Sequence, residues 1–189
     1  MVAIDANGIG AGFVDFMTKS QFDEETGEEL PPFGVEGGTS EDIVDQYKKV
    51  KGPGVEENAM YLIKANAPIN TEAHTYVQTQ LYGGKIKFLI DEAQAKNKLM
   101  GTKLGQEMDA SKRADYLKPF TLTTVLREQM LNLVEDNEGV NIILKQSSRG
   151  IPKDKFSAFE YGLYYIKQDE DRRRKKGKRD IRQLVFFSG

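Results

Sequence analysis

Strand-like runs that alternate with helical stretches predict an α/β fold, and three segments carry the prediction. Residues 2–4 are an apolar run that meets a turn bearing Asn7, Gly8, Gly10 and Gly12, followed by Phe13, Val14, Phe16 and Met17, the order strand, turn, helix. Residues 60–65 and 85–90 read as two further strands, with a helix over 71–81 between them. Residues 140–144 read as a strand that leads, through a turn at 147–152, into a helix continuing through Phe159, Leu163 and Ile166.

The chain has 189 residues, 39% of them hydrophobic, enough for a buried core without a metal or disulfide staple. Lys and Arg number 27 and Asp and Glu 29, a net charge of -2, so any nucleic-acid interface has to come from a local patch. The lack of cysteine excludes a disulfide framework, Cys-ligated zinc or iron–sulfur centres, and thiol chemistry. With His74 as its one histidine the sequence also excludes a His-rich metal site. No run of 18 apolar residues exists to span a membrane, and no basic-then-apolar leader is visible, so the expectation is a soluble intracellular domain. Because the first strand begins without a lead-in, the expectation is also of a fragment or a chain cut close to its fold.

The other elements can be placed in chain order. Residues 19–58, with Pro31, Pro32 and the segment Lys51-Gly52-Pro53-Gly54, read as loop or hairpin connections, and the acidic cluster at 23–29 as a solvated turn. Asn66 and Pro68 mark a turn, Asn70 or Thr71 a helix cap, and Gly83-Gly84 the helix end. His74 reads as an ordinary helix residue. Residues 91–110 are polar and partly helical. The longest helical stretch is 113–137, broken at Pro119, with Leu122, Val125, Leu126, Met130 and Leu133 as a core stripe.

Asp154 stands in the first turn of the last helix, where a carboxylate is also a good cap. Between 167 and 182, nine basic residues stand against four acidic ones, a local +5 that leaves -7 for the remainder. That block reads either as a patch tracking a phosphate backbone or as a solvated segment. The apolar run 181–187 reads as a terminal strand, which would make the block a loop between elements.

Asp5 falls at the carboxyl end of the first strand, where open α/β sheets place ligands. The glycines after it make a poor dinucleotide fingerprint, since a carboxylate would face the pyrophosphate, and no Walker lysine and hydroxyl pair comes after them.

Asp5-Ala-Asn7-Gly8-Ile9-Gly10-Ala-Gly12 with Val14-Asp15 resembles the second acidic motif of the nuclease domain of tailed-phage large terminase subunits, the DNA-packaging motors. Tyr61-Leu-Ile-Lys-Ala-Asn66 with Ile69-Asn70-Thr-Glu72 resembles that family's next strand and helix, and Gly84-Lys-Ile-Lys-Phe-Leu-Ile90 its following strand. Lys153-Asp-Lys-Phe-Ser-Ala-Phe-Glu-Tyr161 resembles its last acidic motif. The resemblance spans most of the chain in the family's order.

It implies a ribonuclease H-like fold, a mixed sheet flanked by helices, over a single domain 1–189. Asp5 and Asp154 match catalytic, metal-binding carboxylates, and Asp15 a commonly acidic supporting position. The family's first acidic residue and its ATPase domain have no counterpart here. The implied cofactor is Mg²⁺ or Mn²⁺, two ions in a complete site, for hydrolysis of concatemeric viral double-stranded DNA. Lys153, Lys155 and Arg149 would meet the backbone or developing charge. Arg172, Arg173, Arg174, Lys175, Lys176, Lys178, Arg179 and Arg182 would hold duplex DNA without reading bases. Implied partners are the terminase ATPase domain, the small subunit and the portal, in the cytoplasm of a bacterial host. Three rivals stay open: another nuclease or resolvase of the same fold class, a DNA- or portal-docking module without catalysis, and an inactive remnant. Asp91 is a candidate substitute ligand.

Overall fold

The computed structural model describes residues 1–48 and 58–185, with the side chains of residues 9, 48 and 176–185 outside the description. In chain order the elements are β1 (Val2–Asp5), α1 (Ile9–Met17), β2 (Gln21–Phe22), β3 (Glu29–Leu30), β4 (Gly34–Gly38), α2 (Glu41–Lys48), β5 (Asn58–Ile63), α3 (Ala67–Tyr82), α4 (Glu92–Met100), α5 (Lys103–Glu107), α6 (Ala110–Leu131), β6 (Leu133–Glu138), β7 (Asn141–Gln146) and α7 (Asp154–Val185). The fold is mixed α/β, with one three-stranded sheet and two two-stranded ones among the described residues. It divides into two compact units, residues 1–77 with 158–189 and residues 78–157.

The first unit is built on β5. This strand lies between β1 and β4 and runs parallel to both, Ile4 opposite Leu62 and Gly38 opposite the same residue on the other edge. A parallel strand covered on both faces needs an unbroken apolar run, and Met60, Tyr61, Leu62 and Ile63 are all buried. Strand alternation then sorts them. Met60 and Leu62 join Ile4, Val14, Val35, Val44 and Tyr47, bringing in α1 and α2. Tyr61 and Ile63 join Ala73 and Tyr164, bringing in α3 and α7. Each fully buried side chain of this size is worth about 1.5–3 kcal/mol.

The strand–turn–helix opening is as the sequence predicts, and the strand expected over 60–65 is present two residues earlier, at Asn58–Ile63. Between them, β4 and α2 occupy residues read as loops or hairpins, while the acidic cluster does sit in the turn of a hairpin, β2 paired antiparallel with β3. The Lys51-Gly52-Pro53-Gly54 segment lies outside the described residues. Helix α3 starts four residues ahead of the expected Thr71, because Asn66 rather than Asn70 or Thr71 caps it: Ile69 N–H donates to Asn66 Oδ1 at 2.9 Å. Pro68 sits in the first turn, where a missing N–H costs nothing.

The second unit packs Ala95, Leu99 and Leu117 with Ile90, Met108 and Phe120. Its helices begin at side-chain caps: Asp91 accepts from Gln94, Thr102 from Gly105 and Asp109 from Lys112. Four expectations need correction. Residues 85–90 form no strand; they keep an alternation of burial but pair in no sheet. Pro119 lies inside α6 without ending it, and the helix stops at Leu131 instead of 137. The chain then enters β6, paired with β7 through a two-residue turn at Gly139 (φ 63) and Val140. The proposed core stripe holds only in part: Val125, Leu126, Met130 and Leu133 are half-buried, but Leu122 is exposed and the fully buried residues of α6 are Leu117 and Gln129. The terminal strand is absent as well, since α7 runs through 181–185, leaving residues 186 and 187 outside the description.

Candidate functional site

Asp5 is the last residue of β1, exposed at the carboxyl edge of the parallel sheet. Its Oδ1 accepts the Asn7 N–H at 3.0 Å, and the Asn7 amide donates to Ala65 O at 3.0 Å, which ties the turn to the end of β5. Gly8 has φ 54, a left-handed conformation that glycine adopts without cost. Gly10 is required for a different reason: a Cβ there would overlap the Asp5 carbonyl oxygen. The glycines therefore serve the close start of α1 under β1, in keeping with the poor dinucleotide fingerprint.

Other polar groups share this edge. Thr39 Oγ1 accepts the Lys64 N–H at 2.8 Å, joining the ends of β4 and β5. From α7, the Tyr161 hydroxyl donates to Asn70 Oδ1 at 3.3 Å. Burial first, and then the negative charges of Asp5 and Glu160, push the Tyr161 phenol up to about 12. It is a neutral donor at any physiological pH. Deeper in the unit, His74 and Glu160 are both buried, with Nδ1 and Oε1 3.6 Å apart, beyond hydrogen-bond reach but within ion-pair range. The sequence gives His74 a bland helical role and does not single out Glu160, because nothing local announces that α3 and α7 bring the two together.

Asp15 Oδ1 accepts the Tyr47 hydroxyl at 2.6 Å, linking α1 to α2. Burial, with this hydrogen bond adding to it, raises Tyr47 to about 12. In the second unit, Asp154 is the exposed first residue of α7, flanked by exposed Lys153 and Lys155 and preceded by exposed Arg149. The first-turn N–H groups of α7 are capped from elsewhere: buried Gln129 Oε1 accepts from Lys155 at 2.9 Å and from Phe156 at 3.1 Å. Asp91, the candidate substitute ligand, is spent as the cap of α4.

The basic block lies on a helix, not on a loop. Lys167 pairs with Glu72 at 2.6 Å and Asp171 at 3.1 Å. Arg172 reaches Glu36 at 3.1 Å and lies over the Tyr61 ring, 5.9 Å from its centroid. Arg173 pairs with Asp169 at 2.7 Å and Arg174 with Glu170 at 3.7 Å, while Lys175 is exposed. Lys176, Lys178, Arg179 and Arg182 lie on the backbone of the same helix, their side chains outside the description.

Mg²⁺ and Mn²⁺ sites are built from several converging oxygen donors. Among the described residues no three His, Asp or Glu side chains are grouped so that they could hold a metal ion, and Asp5 already spends one oxygen on its own turn. The residues described do not fit such a centre, and no chemical step is derived through one. Also among the described residues, no helix is long and apolar enough to cross a membrane. Comparison with protein-family models, with curated proteins and with solved structures finds no match for this chain.

Proposed function

We propose that the chain is a DNA-docking module that grips the duplex backbone through the basic end of α7. The observation that carries this reading is the run of four consecutive exposed cations, Arg172 to Lys175, on a helix whose sequence adds Lys176, Lys178, Arg179 and Arg182. At 1.5 Å per residue, positions 172–182 span about 15 Å. Duplex DNA presents a charge about every 1.7 Å, so such a rod meets several phosphates without reading bases. Arg172 is held by half-buried Glu36 and the Tyr61 ring, whereas the carboxylate partners of Arg173 and Arg174 do not stand in the way. Exposed ion pairs are worth about 0–1 kcal/mol, and phosphates replace those partners with release of condensed counterions.

Fluorescence anisotropy with a random-sequence duplex in EDTA tests this. Affinity is expected to fall steeply with salt, and to drop more than tenfold in Arg173→Glu/Arg174→Glu/Lys175→Glu. Absence of binding at low salt, or binding indifferent to that triple change, overturns it.

A second reading is the resemblance-based one, a terminase-type, ribonuclease H-like endonuclease using Mg²⁺ or Mn²⁺ and working with an ATPase domain, small subunit and portal in a bacterial host. It is supported by the ordered motifs and by exposed Asp5 at the carboxyl edge of the sheet. It needs ligands beyond Asp5 and Asp154. Plasmid nicking in Mn²⁺ that is lost in both Asp5→Asn and Asp154→Asn would favour it over simple docking.

A further inference from the structure

The first unit exposes more apolar surface in one neighbourhood than a solvent face needs. Phe13 and Phe16 on α1, Phe22 and Leu30 in the β2–β3 hairpin, and Phe33 after it are each between 45% and 67% exposed. The neighbourhood is fastened together: Phe33 N–H donates to Met17 O at 2.9 Å and the Gln21 amide to Phe16 O at 2.9 Å, which holds the open end of the hairpin on the last turn of α1. At roughly 100 Å² apiece, five such side chains expose about 500 Å², the size of the largest apolar patch on an ordinary monomer, which is often functional.

The same segment is acidic. Asp15, Asp23, Glu24, Glu25, Glu28 and Glu29 stand against Lys19, a net -5 over residues 9–33. The hairpin loop is held in shape, with Asp23 Oδ1 accepting the Glu25 N–H at 2.9 Å and Gly27 N–H donating to Asp23 O at 2.8 Å. The backbone that carries these charges is therefore held in one turn.

The complementary charge is on the same chain, in the +5 of residues 167–182. There the Arg173 and Arg174 side chains are 79% and 74% exposed, paired with carboxylates one helical turn back that they can exchange at little cost. We propose that the acidic, aromatic face of α1 and the β2–β3 hairpin binds the basic end of α7 from a second copy of the chain. The contact joins unlike patches head to tail, so every assembly keeps one free face and one free basic end at its two ends, and association grows with concentration. The apolar patch falls short of the about 800 Å² per partner of a stable interface, which makes the contact weak, and its charge pairs make it salt-sensitive. The inference is independent of DNA docking, although duplex DNA would compete for the same helix end.

Sedimentation velocity of the full chain tests it over a concentration series, at low salt and at about 1 M, where the screening length has shrunk to about 3 Å. The expected result is a sedimentation coefficient that rises with concentration at low salt and stays monomeric at high salt. Glu24→Lys/Glu25→Lys/Glu28→Lys disables the face, and Arg173→Glu/Arg174→Glu/Lys175→Glu disables the basic end. Each variant alone should remain monomeric. Mixed in equal amounts, they retain one good interface between them and should give a 1:1 complex that grows no further. That complex also shows that both variants are folded. A wild type that stays monomeric at low salt overturns the proposal, as do variants that associate like wild type, or a mixture that forms no complex.

Discussion

Gln129 accepts the backbone N–H of Phe156 at 3.1 Å from a side chain that is only 2% exposed. It takes the Lys155 N–H as well, at 2.9 Å, so a residue of α6 serves as the N-terminal cap of α7. The helix start that carries Asp154 is thus held by a neutral, buried amide, and the Asp154 carboxylate itself is left exposed.

Removing that cap should be costly. Gln129→Ala removes the side-chain acceptor of two first-turn N–H groups, for a loss of about 1–2 kcal/mol. Gln129→Glu keeps the acceptor and adds a charge that favours a helix N-terminus, so it should recover most of the loss. Urea unfolding midpoints check both, and an unchanged midpoint for Gln129→Ala would show that the cap is dispensable.

The glycines after β1 separate by position. Gly10→Ala drives a methyl into the Asp5 carbonyl and should destabilise severely, by more than about 2 kcal/mol, or prevent folding. Gly12→Ala, with nothing within 4 Å of the added carbon, should instead stabilise by about 0.5–1 kcal/mol. Thermal melts of the two variants decide whether the motif's spacing is structural.

Alkaline titration should reveal several late tyrosines, Tyr47 and Tyr161 among them. Tyr47 and Tyr161 are each raised from 10.0 to about 12, so their contribution to stability is complete below pH 10 and is lost as pH rises through about 12. Tyrosinate absorbance should therefore lag behind that of the denatured chain over this interval. Asp5→Asn removes one of the charges acting on Tyr161 and should bring that titration earlier; no change would place Asp5 too far away to act on the phenol.

The acid limb should report on Glu72. The Lys167 ammonium, aided by the Tyr164 hydroxyl, holds this carboxyl below its ordinary 4.5. In the window below 4.5 the unfolded chain binds the proton first. The contribution is therefore complete above pH 4.5 and lost as pH falls through the depressed value. Denaturation midpoints measured down the acid range should decline less steeply in Glu72→Gln than in wild type. Identical slopes would mean that solvent screens the pair fully.

By itself, the sequence determined the elements whose signal is local. The apolar opening, its glycine turn and the following helix are legible because strand, φ > 0 turn and helix each leave a short-range mark, and the unbroken run Met60-Tyr61-Leu62-Ile63 announces the buried central strand. The lack of cysteine chemistry was equally plain. Tertiary structure alone decided what depends on a partner. Residues 34–38 are a strand because β5 offers them a ladder, whereas the better-patterned residues 85–90 find none. The charged run of β6 takes its conformation from β7 rather than from its own weak propensity. The same holds at the candidate site. Asp5 was visible as a carboxylate at a strand end, but its influence on Tyr161 and the burial of His74 beside Glu160 arise from residues far apart in the chain. Periodicity records which face of an element is apolar; it holds no record of which other element will cover that face.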